Sequence, residues 1–173
     1  MVVDWQTDYD RSERFMPEIK YILGNYLLRS PSVIEDQMYC MDLHLEQLKR
    51  GSICCRVRRS DAWQYRHQFT LISRRVSGAE TELSKIMRGY GDLYFYGIAD
   101  SADVSIAHWI IGDIDAFRNW YSQFPAELIN LYFRDILNKY DRKSWFKAFP
   151  WVKIPGFLRA CSEYSDEIVE VSD

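Results

Sequence analysis

The chain reads Ile53-Cys-Cys-Arg-Val-Arg-Arg59 and then, after a short break, Gln68-Phe-Thr-Leu-Ile-Ser-Arg-Arg75. Both stretches are rich in residues that favour β-strands, and each ends in paired arginines. Because side chains alternate between the two faces of a strand, Arg56 and Arg58 lie on the same face. Guanidinium groups gathered on one face of a sheet suit phosphate, so these strands predict a nucleic-acid or nucleotide partner.

The residues before the first stretch complete a predicted β-hairpin. Residues 39–48 alternate between apolar and polar side chains, and residues 52–59 continue the alternation after a break. Between them, Lys49-Arg50-Gly51 is typical of a three-residue loop in which glycine adopts positive φ. The return strand directs three of its residues toward the core: Ile53, Cys55 and Val57.

The polar face of this hairpin brings charges of both signs together. The register that the loop implies places Asp42 opposite Arg58, and it places His44 opposite Arg56. Side chains at such cross-strand positions interact directly. One interpretation is a functional site. The alternative is a solvated strand face, on which each exposed ion pair contributes about 0–1 kcal/mol.

Three carboxylates form a candidate metal site near that face. Asp42 and Glu46 lie on the same side of the predicted strand, and Glu18 lies at the margin of the apolar stripe of a helix predicted over 11–28. Carboxylate oxygens bind Mg²⁺ or Mn²⁺ through one or two side chains while the ion keeps several waters. Such an ion beside phosphate-binding arginines is the basic arrangement for phosphodiester hydrolysis.

The remaining elements complete one α+β domain. After the strand over 68–75, Ser77-Gly-Ala-Glu80 has the pattern of a capping box that begins a helix ending at Gly89. The other predicted elements are strands over 93–99 and 107–114, helices over 115–122 and 125–140 (with Leu128, Leu131, Ile136 and Leu137 directed inward) and a last strand over 145–154. We expect a single domain over residues 1–173, with helices flanking a mostly antiparallel central sheet in the order α-β-β-β-α-β. Residues 162–173 are expected to form an acidic, frayed tail.

Basic residues are concentrated in the middle of the chain. The formal net charge is −3, but residues 49–88 carry ten basic and three acidic side chains, a net +7 that leaves −10 for the rest. Local charge matters more than net charge for the choice of partner. No secretory signal, no apolar run near 18 residues and no C-x-x-C spacing occurs. We therefore expect a cytoplasmic protein with reduced thiols and no membrane partner.

Two further segments extend the basic surface. Arg74 and Arg75 directly precede the predicted helix, whose first N–H groups favour phosphate, and Lys85 lies further along the same helix. The loop Trp63-Gln-Tyr-Arg-His67 interleaves aromatic and basic residues, a pattern that occurs in loops that stack on unpaired bases. The alternative for this loop is that its rings fold back onto the core.

The element order, with Glu18 on the first helix and Asp42 on the first clear strand, resembles the PD-(D/E)XK nuclease superfamily. Four runs are also similar to a group of uncharacterised phage and prophage proteins: Arg56–Arg59, Phe69–Arg75, Ser77–Lys85 and Asp92–Gly97. This likeness covers about residues 10–125. The superfamily resemblance implies DNA cleavage around Mg²⁺ held by Glu18 and Asp42. The chain departs from the superfamily pattern because no acidic-x-Lys pair occurs on the second or third strand, where Arg58 or Thr70 replaces the lysine.

Two kinds of function follow from these expectations. The first is a nucleic-acid-acting protein of phage type, a Mg²⁺- or Mn²⁺-dependent nuclease with Glu18, Asp42 and Glu46 as catalytic residues. Its phosphate-binding residues would be Arg56, Arg58, Arg74, Arg75 and Lys85. The second is a non-catalytic accessory or counter-defence protein that binds nucleic acid or a host nucleic-acid enzyme in the host cytoplasm. Arginine is a poor general base, which leaves the choice between them open.

Overall fold

A four-stranded mixed sheet forms the centre of the molecule. The computed structural model describes residues 5–30, 32 and 43–162. In chain order, the elements are helix α1 (Trp5–Leu27), strands β1 (Leu28–Arg29), β2 (His44–Leu45) and β3 (Ile53–Arg58), a 3-10 helix (Ser60–Tyr65), strand β4 (Gln68–Arg75), helix α2 (Glu82–Met87), strands β5 (Leu93–Ala99) and β6 (Ile106–Asp113), helices α3 (Ile114–Tyr121) and α4 (Ala126–Tyr132), strands β7 (Ile136–Leu137) and β8 (Ser144–Pro150), a second 3-10 helix (Trp151–Lys153) and strand β9 (Leu158–Cys161).

Strand β5 lies inside the central sheet, whose order is β3-β5-β6-β9. Its pairing with β3 is parallel, from Ile53 opposite Leu93 to Arg58 opposite Ile98, whereas β6 pairs with β5 and with β9 in the antiparallel sense. Every residue of β5 is buried. A strand covered on both faces carries a nearly continuous apolar run, as the sequence of β5 does.

Helix α1 covers one face of this sheet. Phe15, Ile19 and Leu23 recur every four residues and are buried against Phe95 and Ile111 of the sheet. Residues at this spacing share one face of a helix. Burial of each such side chain contributes about 1.5–3 kcal/mol, which fixes α1 against the sheet. Pro17 lies inside α1 rather than near its start, although proline removes a helical hydrogen bond.

A second sheet, in the order β4-β8-β7, packs on the opposite face of the central sheet. The core between the two sheets is mostly aromatic. The rings of Phe69 and Phe157 stack with their centroids 4.7 Å apart, and Phe69 lies 5.5 Å from Phe149 and 5.6 Å from Tyr94. Aromatic pairs at these separations add to the energy of burial. This core holds β4 and β8 over the polar face of β3.

The predicted fold class is confirmed, because the described residues form an α+β structure in which antiparallel pairings predominate. The strands predicted over 68–75 and 93–99 have the same ends in the structure. Gly51 has the expected positive φ of 65°. No helix in the described part of the chain is both long enough and apolar enough to span a bilayer.

The predicted hairpin between 39–48 and 52–59 is wrong. Residues 44–45 pair with Leu28–Arg29, and His44 lies opposite Arg29. Strand β3 pairs with β5 instead, so Arg56 lies opposite Tyr96. Pairing with β5 makes β3 part of the central sheet, where Ile53 and Val57 pack against the core beneath α1.

The predicted capping box at Ser77 is also wrong. Helix α2 begins at Glu82, and the Thr81 hydroxyl caps it by accepting a hydrogen bond of 3.2 Å from the Ser84 N–H. The positive φ of 70° at Gly78 interrupts any helix that begins at Ser77. Beginning at Glu82 places two residues of the helix in the core: Leu83 and Ile86.

The last third of the chain differs from its prediction in three ways. The helix predicted over 125–140 ends at Tyr132, because Phe133 turns into the core and the chain then enters β7. The residues predicted to point inward are exposed: Leu128, Leu131, Ile136 and Leu137. The strand predicted over 145–154 ends at Pro150, and strand β9 was not predicted. Of the predicted tail over 162–173, only Ser162 lies within the described residues.

Candidate functional site

A basic cleft of about 940 Å³ lies where β3 of the central sheet faces β4, β8 and the turn before β8. Its walls carry six cationic and only two anionic side chains: Arg11, Arg56, Arg58, Arg59, Arg75 and Lys143 against Glu82 and Asp141. A concave surface lined by one sign of charge concentrates its electrostatic field and attracts ligands of the opposite sign. The hydrogen bonds of each group decide which cations remain available to a ligand.

Arg11 is compensated inside the protein. Its Nη2 lies 2.5 Å from Oδ1 of Asp103, its Nε donates to Oδ2 of the same carboxylate at 3.0 Å, and its Nη1 donates to the Val57 carbonyl at 2.9 Å. The hydrogen bonds from Arg11 lower the pKa of Asp103. Arg11 therefore connects α1 to the central sheet and has little charge left for a ligand.

Arg56 is also compensated, by Glu82 at the start of α2. The Arg56 Nη2 lies 2.7 Å from Glu82 Oε2, which also accepts the Ile72 N–H at 3.1 Å, and Tyr94 donates its hydroxyl to Oε1 at 3.1 Å. Burial alone would lower the pKa of Arg56, but the charge of Glu82 outweighs burial and raises it. Burial, reinforced by Glu82, raises the pKa of Tyr94. The carboxylate thus joins β3, β4 and β5 at the floor of the cleft.

Arg58 lies next to Arg56 along β3 and is half-buried. Its Nη1 donates to the Thr70 hydroxyl at 3.0 Å, and its guanidinium carbon lies 5.2 Å from the centroid of the Phe146 ring. Among the described residues, no carboxylate lies within 4.0 Å of Arg58. Its orientation is therefore fixed by neutral partners, and its positive charge is not neutralised by them.

Arg59 stands at the rim of the cleft on another aromatic ring. Its guanidinium carbon lies 5.4 Å from the Tyr140 centroid, and Tyr140 is held in turn by Asp61, which accepts its hydroxyl at 2.5 Å and the Lys139 ammonium at 2.6 Å. Burial alone would raise the pKa of Asp61, but these two hydrogen bonds lower it. Within the described chain Arg59 has no ion pair.

The opposite rim carries Arg75 and Lys143, both exposed. Neither makes an ion pair with any described residue. The nearby Asp141 accepts hydrogen bonds from the Ser144 hydroxyl at 2.6 Å and from the Lys143 and Ser144 N–H groups at 2.9 and 3.1 Å. Burial would raise the pKa of Asp141, but these donors outweigh burial and lower it. The carboxylate therefore organises the turn before β8, and the two cations remain available to an anionic ligand.

The structure brings together three of the five predicted phosphate-binding residues: Arg56, Arg58 and Arg75. Arg74 does not line the cleft; its guanidinium carbon stacks 3.8 Å from the centroid of Trp145. Lys85, in the last turn of α2, does not line it either. The predicted sharing of a face by Arg56 and Arg58 is confirmed, since Arg56 meets Glu82 of α2 and Arg58 meets Thr70 of β4 in the same cleft.

The two predicted catalytic carboxylates that the structure describes, Glu18 and Glu46, have separate partners. Glu18 accepts the Ile106 N–H with both oxygens, at 3.1 and 3.0 Å, and does not line the cleft. Glu46 makes an exposed ion pair of 3.3 Å with Arg29. Asp42 lies outside the described residues. In the ranges that the structure describes, no group of three or more histidine, cysteine or acidic side chains is arranged to hold a metal ion.

The prediction that Cys55 faces the core is wrong, because this residue is exposed and lines the same cleft. Burial around its sulfur, with a smaller effect of Cys54, raises the pKa of this thiol to about 11. The thiol, not the thiolate, is therefore present at neutral pH. Because the thiolate is the nucleophile, the raised pKa lowers the nucleophilicity of Cys55 at neutral pH.

Several residues of the cleft were not predicted as site residues. The most informative are Glu82, Tyr140, Lys143 and Phe146. The run from Lys139 to Lys147 interleaves basic and aromatic residues in the same way as the loop at Trp63, so this pattern could have identified the run as part of the site. The loop over 63–67 leaves Trp63 and Tyr65 exposed and does not line the cleft.

Comparison of the chain with protein-family models, with curated proteins and with solved structures gives no match. The resemblance to the PD-(D/E)XK superfamily and to phage proteins therefore stays a prediction. Any functional conclusion depends on the geometry and chemistry of the cleft.

Proposed function

We propose that this protein is a nucleic-acid-binding module whose basic cleft holds the phosphate backbone. The observation that carries the proposal is a set of four cations without an ion pair to any described residue: Arg58, Arg59, Arg75 and Lys143. Arginine matches phosphate because its planar fork donates two parallel hydrogen bonds to the oxygens. The cluster lies on two facing walls, an arrangement that suits a ligand with several phosphates.

Binding is better supported than cleavage, because the carboxylates of the cleft are occupied. Glu82 already accepts from Arg56, from a backbone N–H and from Tyr94, and Asp141 accepts from the turn that contains it. Each carboxylate already accepts three hydrogen bonds, which leaves about one of its roughly four acceptor sites for a metal ion or for activation of water. The proposed protein therefore retains phosphate without cutting the chain.

The proposal predicts affinity that falls steeply with salt. Neutralising about three to four phosphates gives a slope of log K against log salt of about −2.1 to −3.6, so affinity falls about 20- to 150-fold between 50 and 200 mM salt. Fluorescence anisotropy with a labelled oligonucleotide measures this directly. We expect Arg59→Ala and Arg75→Ala each to weaken binding about tenfold, the loss of one charged hydrogen bond.

Arg74→Ala is the matched control, because Arg74 is a neighbouring exposed arginine that does not line the cleft. It should change affinity less than about twofold, as expected for a solvent-screened charge outside the cleft. Equal effects of Arg74→Ala and Arg75→Ala, or an affinity that does not change with salt, would contradict the proposal. Mg²⁺-dependent cleavage of the oligonucleotide that is lost in Asp42→Ala would replace it with the nuclease hypothesis.

A further inference from the structure

We infer that the ligand of the cleft is single-stranded rather than duplex nucleic acid. Two arginines, each positioned over an aromatic ring, bind it. This inference rests on the proposed function and specifies the class of its ligand. The two pairs are Arg58 with Phe146 and Arg59 with Tyr140, with guanidinium-to-centroid distances of 5.2 and 5.4 Å.

The rings fix the orientation of both guanidinium groups before any ligand arrives. Arg58 is held between the Thr70 hydroxyl and Phe146, and Arg59 is held by Tyr140, whose own position is fixed by Asp61. A long side chain that is already ordered loses less entropy on binding. A stacked guanidinium donates to phosphate from its edge, while its open face accepts an unpaired base.

The depth of the cations distinguishes a single strand from a duplex. Arg58 is half-buried on the strand face that β4 and β8 cover, whereas Arg59, Arg75 and Lys143 are exposed at the rim. A duplex keeps its bases paired and offers mainly its outer phosphates, which can reach the rim cations only. A single strand is thin enough to place a phosphate beside Arg58 and can present the face of a base to Arg59.

The size and span of the cleft favour a strand over a free nucleotide. Its volume of about 940 Å³ is near the upper end of small-ligand sites, and its unpaired cations lie on both walls. A nucleoside monophosphate carries a single phosphate group, so it neutralises fewer of these cations than a strand of several nucleotides does. A short run of nucleotides can engage all four cations.

The test compares ligands of equal length in anisotropy titrations of the full chain near 0.15 M salt. The probes are labelled thymidine and uridine oligonucleotides of about 12 nucleotides and a blunt duplex of the same length. We expect both single strands, or one of them, to bind at least about tenfold more tightly than the duplex, because only they reach Arg58. Thymidine monophosphate should compete only at far higher concentration.

Tyr140 supplies a variant that separates ring support from charge. Tyr140→Leu removes the ring under Arg59 without changing the charge of the cleft, so we expect about a fivefold loss of single-strand affinity with an unchanged salt slope. Tyr140→Phe keeps the ring and should retain most of the affinity. Arg59→Ala removes a phosphate contact and should reduce the magnitude of the slope by about 0.7.

The outcomes distinguish this inference from the function on which it rests. Duplex binding that equals or exceeds single-strand binding, with the effects of Arg59→Ala and Arg75→Ala retained, overturns the inference and leaves nucleic-acid binding standing. Competition by the mononucleotide at the concentration of the strand also overturns it. Absence of binding to every nucleic-acid probe overturns the proposed function itself.

Discussion

Glu82 shows how one side chain joins parts of the fold that are distant in sequence. Its carboxylate meets Arg56 on β3, the Ile72 N–H on β4 and the Tyr94 hydroxyl on β5. These three strands belong to two sheets, and β3 and β4 are not hydrogen-bonded neighbours. Breaking one member of a partly buried charged network leaves the other members desolvated and unpaired. The carboxylate therefore supports both the stability of the fold and the floor of the cleft.

Glu82→Gln should lower the free energy of unfolding by about 2–3 kcal/mol, since hydrogen bonds to a charged group are the strong ones. The measurement is urea unfolding monitored by tryptophan fluorescence at neutral pH. Glu80→Gln is the matched control, because Glu80 pairs with Arg88 on the surface, where the two side chains are 36% and 59% exposed. That change should cost less than about 1 kcal/mol. Equal losses in the two variants would contradict the role assigned to Glu82.

The face shared by Arg56 and Arg58 could be predicted from the alternation of β3, but their partners could not. Alternation is a local property of the backbone, so it gives the face without knowledge of the fold. Glu82 lies 26 residues from Arg56 along the chain. The local sequence does not show that Glu82 pairs with Arg56 while Glu80 stays on the surface. The packing of α2 on β4 decides which of the two glutamates meets Arg56.

At the scale of elements, the contact between β6 and the segment before β9 leaves no room for a side chain. A Cβ atom at Gly112 would lie 2.1 Å from the Phe157 ring, which is buried and stacked on Phe69. Real Cβ atoms do not approach other atoms this closely, and a packed core yields little. Gly112 therefore lets the aromatic core close over the central sheet.

Gly112→Ala should destabilise the protein by at least about 2 kcal/mol through overpacking. Gly24→Ala is the comparison within the same chain, because a Cβ at Gly24 in α1 meets nothing within 4 Å. It should stabilise the helix by about 0.5–1 kcal/mol. Thermal unfolding should show shifts of opposite sign, with about 2–4 °C per kcal/mol for a chain of this size. A Gly112→Ala protein as stable as the parent would refute the packing argument.

The elements that the sequence predicted well are those whose pattern is local and strong. β4 and β5 are bounded by turn residues and consist of strand-forming residues, so their ends are correct. The failures concern partners and long-range context. The apolar and polar residues of β3 alternate as in a hairpin strand, yet β3 pairs in parallel with the buried strand β5. The apolar residues after Tyr132 have helical spacing, but Phe133 enters the core and ends the helix.

Across the whole molecule, the arginines differ in their partners: some are paired with carboxylates inside the fold, and others lie at the surface without an ion pair to any described residue. Arg11, Arg56 and Arg118 are each paired with a carboxylate. Arg118 also donates to the carbonyl of Ile86 in α2 and to those of Tyr90 and Gly91 in the turn before β5. The cations at the cleft rim have no such partner within the described residues. The net charge of −3 conceals this division. Only the folded arrangement shows which of the basic residues in the middle of the chain remain available to a ligand.

The hydrogen bonds and ion pairs of the aspartates make the stability of the fold depend on pH. Seven aspartates have a pKa below the ordinary value of 3.8: Asp61, Asp92, Asp100, Asp103, Asp115, Asp135 and Asp141. For Asp103 the main cause is the hydrogen bond from Arg11. A group whose pKa is lower in the folded state binds fewer protons there than in the unfolded state. Its contribution to stability is therefore full above the unfolded pKa and is lost as pH falls through the folded pKa.

Burial has the opposite effect at alkaline pH. It raises the pKa of Cys55 from 9.0 to about 11, and it raises that of Tyr94 above the ordinary value of 10.0. These groups favour the folded state while they are protonated. Their contribution is full below the unfolded pKa and is lost as pH rises through the folded pKa. Stability should therefore have a plateau bounded on both sides.

We expect the urea midpoint to stay nearly constant between about pH 5 and 8, to fall below about pH 4 and to fall again above about pH 9. Asp103→Asn should lower the midpoint on the plateau, because Arg11 then loses its charged partner, and should make the acid limb shallower. Glu80→Gln, which changes an exposed pair, should leave the acid limb almost unchanged. Unfolding curves at half-unit steps of pH measure both limbs. A midpoint that stays constant to pH 3, or an acid limb of equal steepness in Asp103→Asn and the parent, would show that the aspartate pairs do not govern acid stability.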